Sequence, residues 1–354
     1  MGGLKSMSSR IRIYDKDGGK VGDIRASTVR SWTLASAGVI GECKFDISRR
    51  DSKAIEKYLR YGNYIIVTDG DARLPEWVGV IYPPRSWGIS VITVTAYQLE
   101  KIFQWRSTPD ETYSGTPGSI FTQIVQHTNS SDHNEKKMMI DQVFNGGDSI
   151  EEKLGDDAYS HLQYIAEAAG HDFDVVHELD DNGKLSLKTN WYDRKGYDTA
   201  MVLQEGYNID LPEDILEESG DLFNEVTGYS DSSSDDSRLV GTQRDLAAIS
   251  KYGLYQVSTV FDGVKNESTL NSSILSALEL SIEPLKSLSV TAVDKGKTFA
   301  NLEIGNLITV KLQNEGFMGD GALGLYETAR IMGMETDDNE GNVKLVAEVQ
   351  NAES

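Results

Sequence analysis

The sequence predicts a mainly β, α+β protein: two similar small β-barrel domains at residues 1–105 and 206–354, with an α+β domain at 106–205 inserted between them. Three observations lead there. The stretch YLRYGNYIIV at 58–67 returns as NLEIGNLITV at 301–310, sharing the pattern L-x-x-G-N-x-I-x-V. Short β-branched and aromatic runs, separated by Gly, Asp and Pro turns, fill both ends of the chain, as small barrels or sandwiches require. Between 99 and 207 the apolar period changes from strand-like to helical.

The repeat extends backwards without a gap. Aligning 44–67 on 287–310 pairs Phe45 with Leu288, Ile47 with Val290, Asp51 with Asp294 and Leu59 with Leu302. It also pairs Gly62 with Gly305, Asn63 with Asn306, Ile65 with Ile308 and Val67 with Val310.

In chain order, IRIYDKDGGKVGDI alternates and turns at Asp17-Gly18-Gly19, a hairpin signal. Asp15-x-Asp17-Gly18 has the start of a calcium loop but lacks the distal Glu, so a plain turn is expected. Two strands follow in SWTLASAGVIGECKFDIS, then a short helix or turn at 50–58. After the Gly62-Asn63 corner come a strand at 64–67, the loop DGDARLP, a strand at 77–82, a turn at Pro83-Pro84 and a strand at 89–97.

In the insert, Thr116-Pro117-Gly118-Ser119 opens a helix with Pro just inside it, and Ile120, Phe121, Ile124 and Val125 form its apolar face. A second helix spans 157–169, with Leu162, Ile165, Ala166 and Ala169 at helical spacing and Gly170 as its stop. A hairpin follows, with strands at 172–179 and 184–189 about the turn Asp180-Asp181-Asn182-Gly183.

Residues 207–230 read as strands. SDSSSDDS at 230–237 is a polar, acidic loop, and an extra loop and helix insertion is expected at about 230–285. There 252–261 reads as a strand, and Ser268-Thr269 caps a helix through Ile274 and Leu278 that stops at Pro284. The second copy has strands at 288–293, 307–312, 327–334 and 343–349. A Gly-rich loop lies at 314–324 and a turn at 337–341. In both copies a strand carrying a glycine, Gly79 or Gly333, follows the loop after the corner.

The chain has 354 residues, 39% hydrophobic and 25% charged, which suits a folded protein of two or three domains. No run of about 18 apolar residues exists to cross a membrane, and the N-terminus lacks the apolar core of a secretion signal. The lone Cys43 rules out an internal disulfide and fits a buried hydrophobe in a reducing compartment. Net charge is −22, but residues 1–110 carry +5 and the remainder −27. So acidic a body argues against binding nucleic acid by phosphate neutralisation.

No catalytic, cofactor or metal site is expected. His127, His133, His161, His171 and His177 all fall in the insert without the spacing of a metal-binding helix. Asp156-Asp157, Asp180-Asp181 and Asp337-Asp338 sit where carboxylates cap and turn. The loop carrying Gly316, Gly319, Gly321 and Gly324 has no phosphate-binding lysine. Trp32, Trp77, Trp87, Trp105 and Trp191 are scattered as core and interface residues are. Exposed aromatics such as Trp87 and Trp105 leave a glycan-binding module as the alternative, and an enzyme with an unrecognised site in the insert as a third reading.

Three stretches carry a resemblance. KFDISRRDSKAIEKYLRYGNYIIV with WVGVI, TPGSIFTQIVQHT with SHLQYIAEAAGHDFDVV, and IGNLITVKL with ARIMGM and VKLVAEVQ together resemble the hub proteins of phage tail tips and baseplates. The resemblance spans nearly the whole chain as a pattern. It implies a virion structural protein without enzymatic activity, assembled in the host cytoplasm. It further implies a homotrimeric, pseudo-hexameric ring that joins a sixfold tail tube to a threefold tip. A distal tail or tail tube protein would dock above, and a tip, needle or fibre protein below. The bore would hold the tape-measure protein and pass DNA without specific binding, which an acidic wall favours. Because only QNAES follows 349, any cell-wall-degrading activity is expected on another protein. The charge split suggests that the basic first repeat, with Arg49 and Arg50, meets the acidic second repeat of a neighbour.

Overall fold

The computed structural model describes residues 10–25, 27–35, 39–68, 75–109, 111–130, 136–154, 157–204, 207–210, 216–219, 223–230, 238–261, 264, 267–279, 281, 285–293, 299–312, 325–337 and 342–349. The loops expected at 69–74, 231–237, 313–324 and 338–341, together with Asp156, His133, Asp294, Pro284 and 350–354, lie outside these residues. The described residues form two compact units, one from 10–210 with 290–349 and one from 216–289.

The first repeat is built from β1 (Arg10–Tyr14), β2 (Lys20–Ile24), β3 (Ser27–Ala35), β4 (Glu42–Ser48), the short helix α1 (Glu56–Leu59), β5 (Tyr64–Thr68), β6 (Trp77–Trp87) and β7 (Val91–Gln98). Alternation makes these strands: Cys43, Phe45 and Ile47 of β4 are buried while the residues between them are partly exposed. The β1–β2 turn is an ordinary hairpin, with Asp15 Oδ1 accepting the Asp17 and Gly19 N–H groups at 3.0 and 2.8 Å. Pro83-Pro84 is not the expected turn. β6 runs through both prolines as a bulge, and the chain reverses at 88–90 instead. Proline lacks the ladder donor, and a bulge on an edge is where a strand tolerates it.

The insert holds α2 (Lys101–Gln104), β8 (Glu111–Gly115), α3 (Pro117–Ser130), β9 (Met138–Val143), β10 (Ile150–Leu154), α4 (Ala158–Ala169), β11 (Asp172–Leu179) and β12 (Leu185–Tyr192). Asp157 caps α4, its carboxylate accepting the Ser160 N–H at 3.0 Å, and Gly170 closes it at φ +67°. Strands β8, β9 and β10 lack a clear apolar alternation and are not evident in the sequence. β9 is held by parallel pairing to β12, which pairs antiparallel with β11. One core joins insert and first repeat: Tyr64, Ile66 and Val80 pack with Phe103, Phe121, Phe173 and Trp191. The β1–β2 tip is also tied to β12, where Leu185 N–H donates to the Gly18 carbonyl at 2.8 Å.

Next come β13 (Asp198–Gln204) and β14 (Ile209–Asp210). The second unit contains β15 (Leu216–Ser219), β16 (Glu225–Ser230), β17 (Val240–Arg244), α5 (Leu246–Tyr252), β18 (Gln256–Phe261) and α6 (Glu267–Glu279). Its sheet runs β17-β16-β18, and α6 gives it a core of Val226, Val264, Leu270, Ile274 and Leu278. Ser268 and Thr269 lie inside the first turn of α6, which begins at Glu267, rather than ahead of it. The chain returns through β19 (Leu285–Val293), β20 (Leu307–Leu312), β21 (Leu325–Asp337) and β22 (Asn342–Val349).

The two repeats are present as strand sets, but among the described residues neither closes into a barrel. Both belong to one 14-stranded sheet whose main path is β14-β19-β22-β21-β3-β4-β7-β6-β5-β1-β2. The run β4-β7-β6-β5 repeats as β19-β22-β21-β20, with β20 on the far side of β21. The strand after the corner is flanked differently in the two copies: β1 lies antiparallel to β5, whereas β13 lies parallel to β20.

Candidate assembly surface

The two Gly-Asn corners share their backbone hydrogen bonds. Gly62 N–H donates to the Ile81 carbonyl at 2.8 Å and Ile81 N–H to the Asn63 carbonyl at 2.8 Å. Gly305 N–H donates to the Ile331 carbonyl at 2.8 Å and Ile331 N–H to the Asn306 carbonyl at 2.9 Å. Both glycines take positive φ, +87° and +94°, and both asparagines are buried. The next ladder agrees as well. Ile81 faces Ala96 and Ile331 faces Ala347, and a bulge follows each isoleucine at once. This register makes Ile81 the counterpart of Ile331, so Gly79 matches Ala329. Gly79 and Gly333 thus share a pattern and not a register position. Gly79 instead makes room for the Trp77 ring and the Tyr97 carbonyl, which a Cβ there would meet at 2.3 and 2.2 Å.

The repeats join edge to edge. Residues Gly333–Asp337 of β21 pair antiparallel with Ala35–Ser31 of β3, burying Trp32 and Thr336. β6 has no such partner on the matching edge: beyond the bulge, Arg85–Trp87 pair only with β7 among the described residues. Trp87 is 64% exposed and Ile89 98% exposed there. Arg49 Nη1 lies 3.4 Å from the Gly88 carbonyl oxygen, its guanidinium 6.0 Å from the Trp87 ring centre.

A polar cavity of about 640 Å³ lies within the first unit. Lys195 Nζ is 2.7 Å from Asp174 Oδ2, and Asn190 Nδ2 donates to Asp174 Oδ1 at 2.9 Å. Arg330 Nη2 pairs with Asp172 and donates to the Lys195 carbonyl at 3.0 Å. Burial opposes the Lys195 charge, but Asp174 outweighs it and holds the lysine above its ordinary pKa. Among the described residues Glu100 has no ion-pair partner of this kind; its carboxylate accepts the Val175 N–H at 3.1 Å. Burial pushes its pKa up to about 7, with the Asp174 charge adding to the shift and Lys195 opposing it. The matched charges fasten β11, β21 and the segment before β13. Sequence reasoning missed this cluster. Its one signal was Asp172 and Asp174 at alternate positions of β11, on the face opposite Phe173 and Val175.

The remaining residues singled out from the sequence do not converge. Among the described residues no group of three His, Cys, Asp or Glu could hold a metal. His171 accepts the Trp191 indole N–H at 3.0 Å, and burial lowers its pKa. His177 is lowered likewise, although Glu76 lies 3.9 Å away. His127 and His161 are half-buried on α3 and α4. Asp180 closes its turn by accepting the Asn182 and Lys184 N–H groups at 2.9 and 2.8 Å. Asp337 ends β21. Trp32, Trp77 and Trp191 are core residues, and Trp105 is half-buried with its ring 4.6 Å from that of Tyr82. Cys43 is fully buried, which pushes its thiol up.

No family model and no curated protein sequence matches this chain. Solved structures do. The 43 kDa tail protein of prophage MuSo2 from Shewanella oneidensis is 17% identical at a TM-score of 0.62, over 97% of this chain and 98% of that one. A tail protein from Neisseria meningitidis is 15% identical at 0.61, over 97% of both chains. A prophage tail protein from Listeria monocytogenes is 13% identical at 0.60, over 97% of this chain and 95% of that one. The fold is therefore that of phage tail proteins from end to end.

Proposed function

We propose that this chain is a structural hub of a phage tail tip or baseplate. Three copies form a ring of six similar strand sets, joining a sixfold tail tube to a threefold tip. The observation that carries this reading is the duplication in register, two Gly-Asn corners with the same backbone hydrogen bonds and a bulge at the same place after each, within a fold shared with tail proteins. A chain that carries one unit twice offers six near-equivalent positions from three copies, and closed rings are the natural use of such units. Under this reading the domains are the two repeats, 1–105 and 206–354, and the insert between them. A distal tail or tube protein docks above the ring, and a tip, needle or fibre protein below. The bore holds the tape-measure protein and passes DNA, which the acidic body does not retain. The chain does no chemistry of its own, and it resides in the virion after assembly in the host cytoplasm.

The experiment is to label the chain in intact particles. Gold on an affinity tag falling at the host-facing end of the tail supports the proposal. Label along the tube, on the head, or absent from particles overturns it.

A further inference from the structure

We infer that the edge of β6 at Arg85–Trp87 is completed by β15 of a second copy of this chain, forming a strand pair equivalent to the β3–β21 pair inside each chain. The inference rests on the ring reading above and adds the seam that closes the ring.

The repeat supplies the mapping. Ile81–Ala96 corresponds to Ile331–Ala347, so Val94, Thr93 and Ile92 of β7 correspond to Leu345, Lys344 and Val343 of β22. Their partners beyond the bulge then correspond too: Arg85 to Met334, Ser86 to Glu335 and Trp87 to Thr336. Met334, Glu335 and Thr336 pair with Leu34, Thr33 and Trp32 of β3. Among the described residues no strand pairs with the same edge of β6, which lies beside an exposed Trp87 and Ile89. Such an edge recruits another strand unless it is covered.

The occupant follows from the other half of the repeat. β3 flanks β4, with Ser31 opposite Lys44 and Trp32 opposite Cys43. β15 flanks β19 in the same way, with Glu217 opposite Ser287, the counterpart of Lys44, and Glu218 opposite Lys286. Among the described residues β15 pairs only with β19, and none pairs with its outer edge, the one by which β3 receives β21. Copying the internal pairing places Ser86 opposite Ser219, Trp87 opposite Glu218 and Gly88 opposite Glu217 of the next copy. The charges agree. Arg49 and Arg50 are exposed, Arg49 lies beside Gly88, and the incoming strand is Leu-Glu-Glu-Ser. The contact is heterologous, each copy giving one edge and taking another, so it closes only as a ring.

The test is a cysteine pair in assembled tails. Ser86 is exposed, and directly opposed residues in an antiparallel pair sit within disulfide reach. In tails carrying Ser86→Cys with Ser219→Cys, mild oxidation should convert the chain into a closed three-chain species. Mixed tails carrying one change per chain should stop at two-chain species, and either single variant alone should stay uncrosslinked. A ring of three copies in which 86 and 219 do not crosslink overturns the seam and leaves the hub reading standing. Tails with no ring of this chain overturn both. A charge swap gives a second readout: Arg49→Glu should lower incorporation into tails, and Glu217→Arg in the same chain should restore it. Incorporation unaffected by Arg49→Glu at low salt contradicts the seam.

Discussion

Replacing Glu100 with Gln should change how stability depends on pH. Burial raises the Glu100 pKa from 4.5 to about 7, while in the unfolded chain the carboxyl returns to its ordinary value. The folded state therefore holds a proton that the unfolded state releases between about pH 4.5 and 7. Stability from this group is full below pH 4.5 and is lost as pH rises to about 7. At about 1.4 kcal/mol per pH unit the loss approaches about 3 kcal/mol. That is an upper figure, because Glu100 lines the cavity and water there softens the penalty. Glutamine keeps an oxygen for the Val175 N–H, which Glu100 accepts at 3.1 Å, and cannot ionise. Urea denaturation followed by tryptophan fluorescence at pH 4 and pH 8 measures the effect. The two proteins should unfold at similar urea at pH 4, and Glu100→Gln should be the more stable at pH 8. Equal stability at both pH values, or a variant weaker at pH 8, would refute the reasoning.

Arg330→Ala leaves Asp172 without its cation in a site where Arg330 is only 8% exposed, and should cost about 3 kcal/mol in denaturant unfolding. Arg330→Met with Asp172→Asn should recover much of that loss. Gly18→Ala should cost about 2–3 kcal/mol by the same assay, because φ is +82° and the new Cβ would meet the Leu185 carbonyl oxygen at 1.9 Å. Gly183→Ala, at φ +73° with nothing within 4 Å, should cost only about 1 kcal/mol. Asn63→Ala removes bonds at 3.1 and 3.2 Å to the Lys57 and Tyr58 carbonyls, and should lower stability by about 1–2 kcal/mol.

The corners were legible in the sequence because glycine and asparagine do there what no other pair does as well. Gly62 and Gly305 hold positive φ, and Asn63 and Asn306 fill buried polar niches, so both residues recur. Helices α3 and α4 were legible for a similar reason: capping residues and apolar period agree over a whole element. Gly79 and Gly333, each inside a strand, recur as a pattern without occupying equivalent positions. The bulge at Pro83-Pro84 read as a turn because prolines punctuate locally, whereas the pairing of β6 to β7 on either side is set by distant residues. Neither the joining of the repeats at β3–β21 nor the cavity of Glu100, Asp174, Lys195 and Arg330 could be read along the chain. Both depend on residues brought together from opposite ends of the sequence.

The claim that one strand unit is used twice to build a ring is tested most directly by cryo-electron microscopy of intact tails. The account predicts three copies of the chain, with the corners at Gly62 and Gly305 alternating around the ring at matching radius and height, six in all. Six copies, or two kinds of corner at different radii, would contradict it.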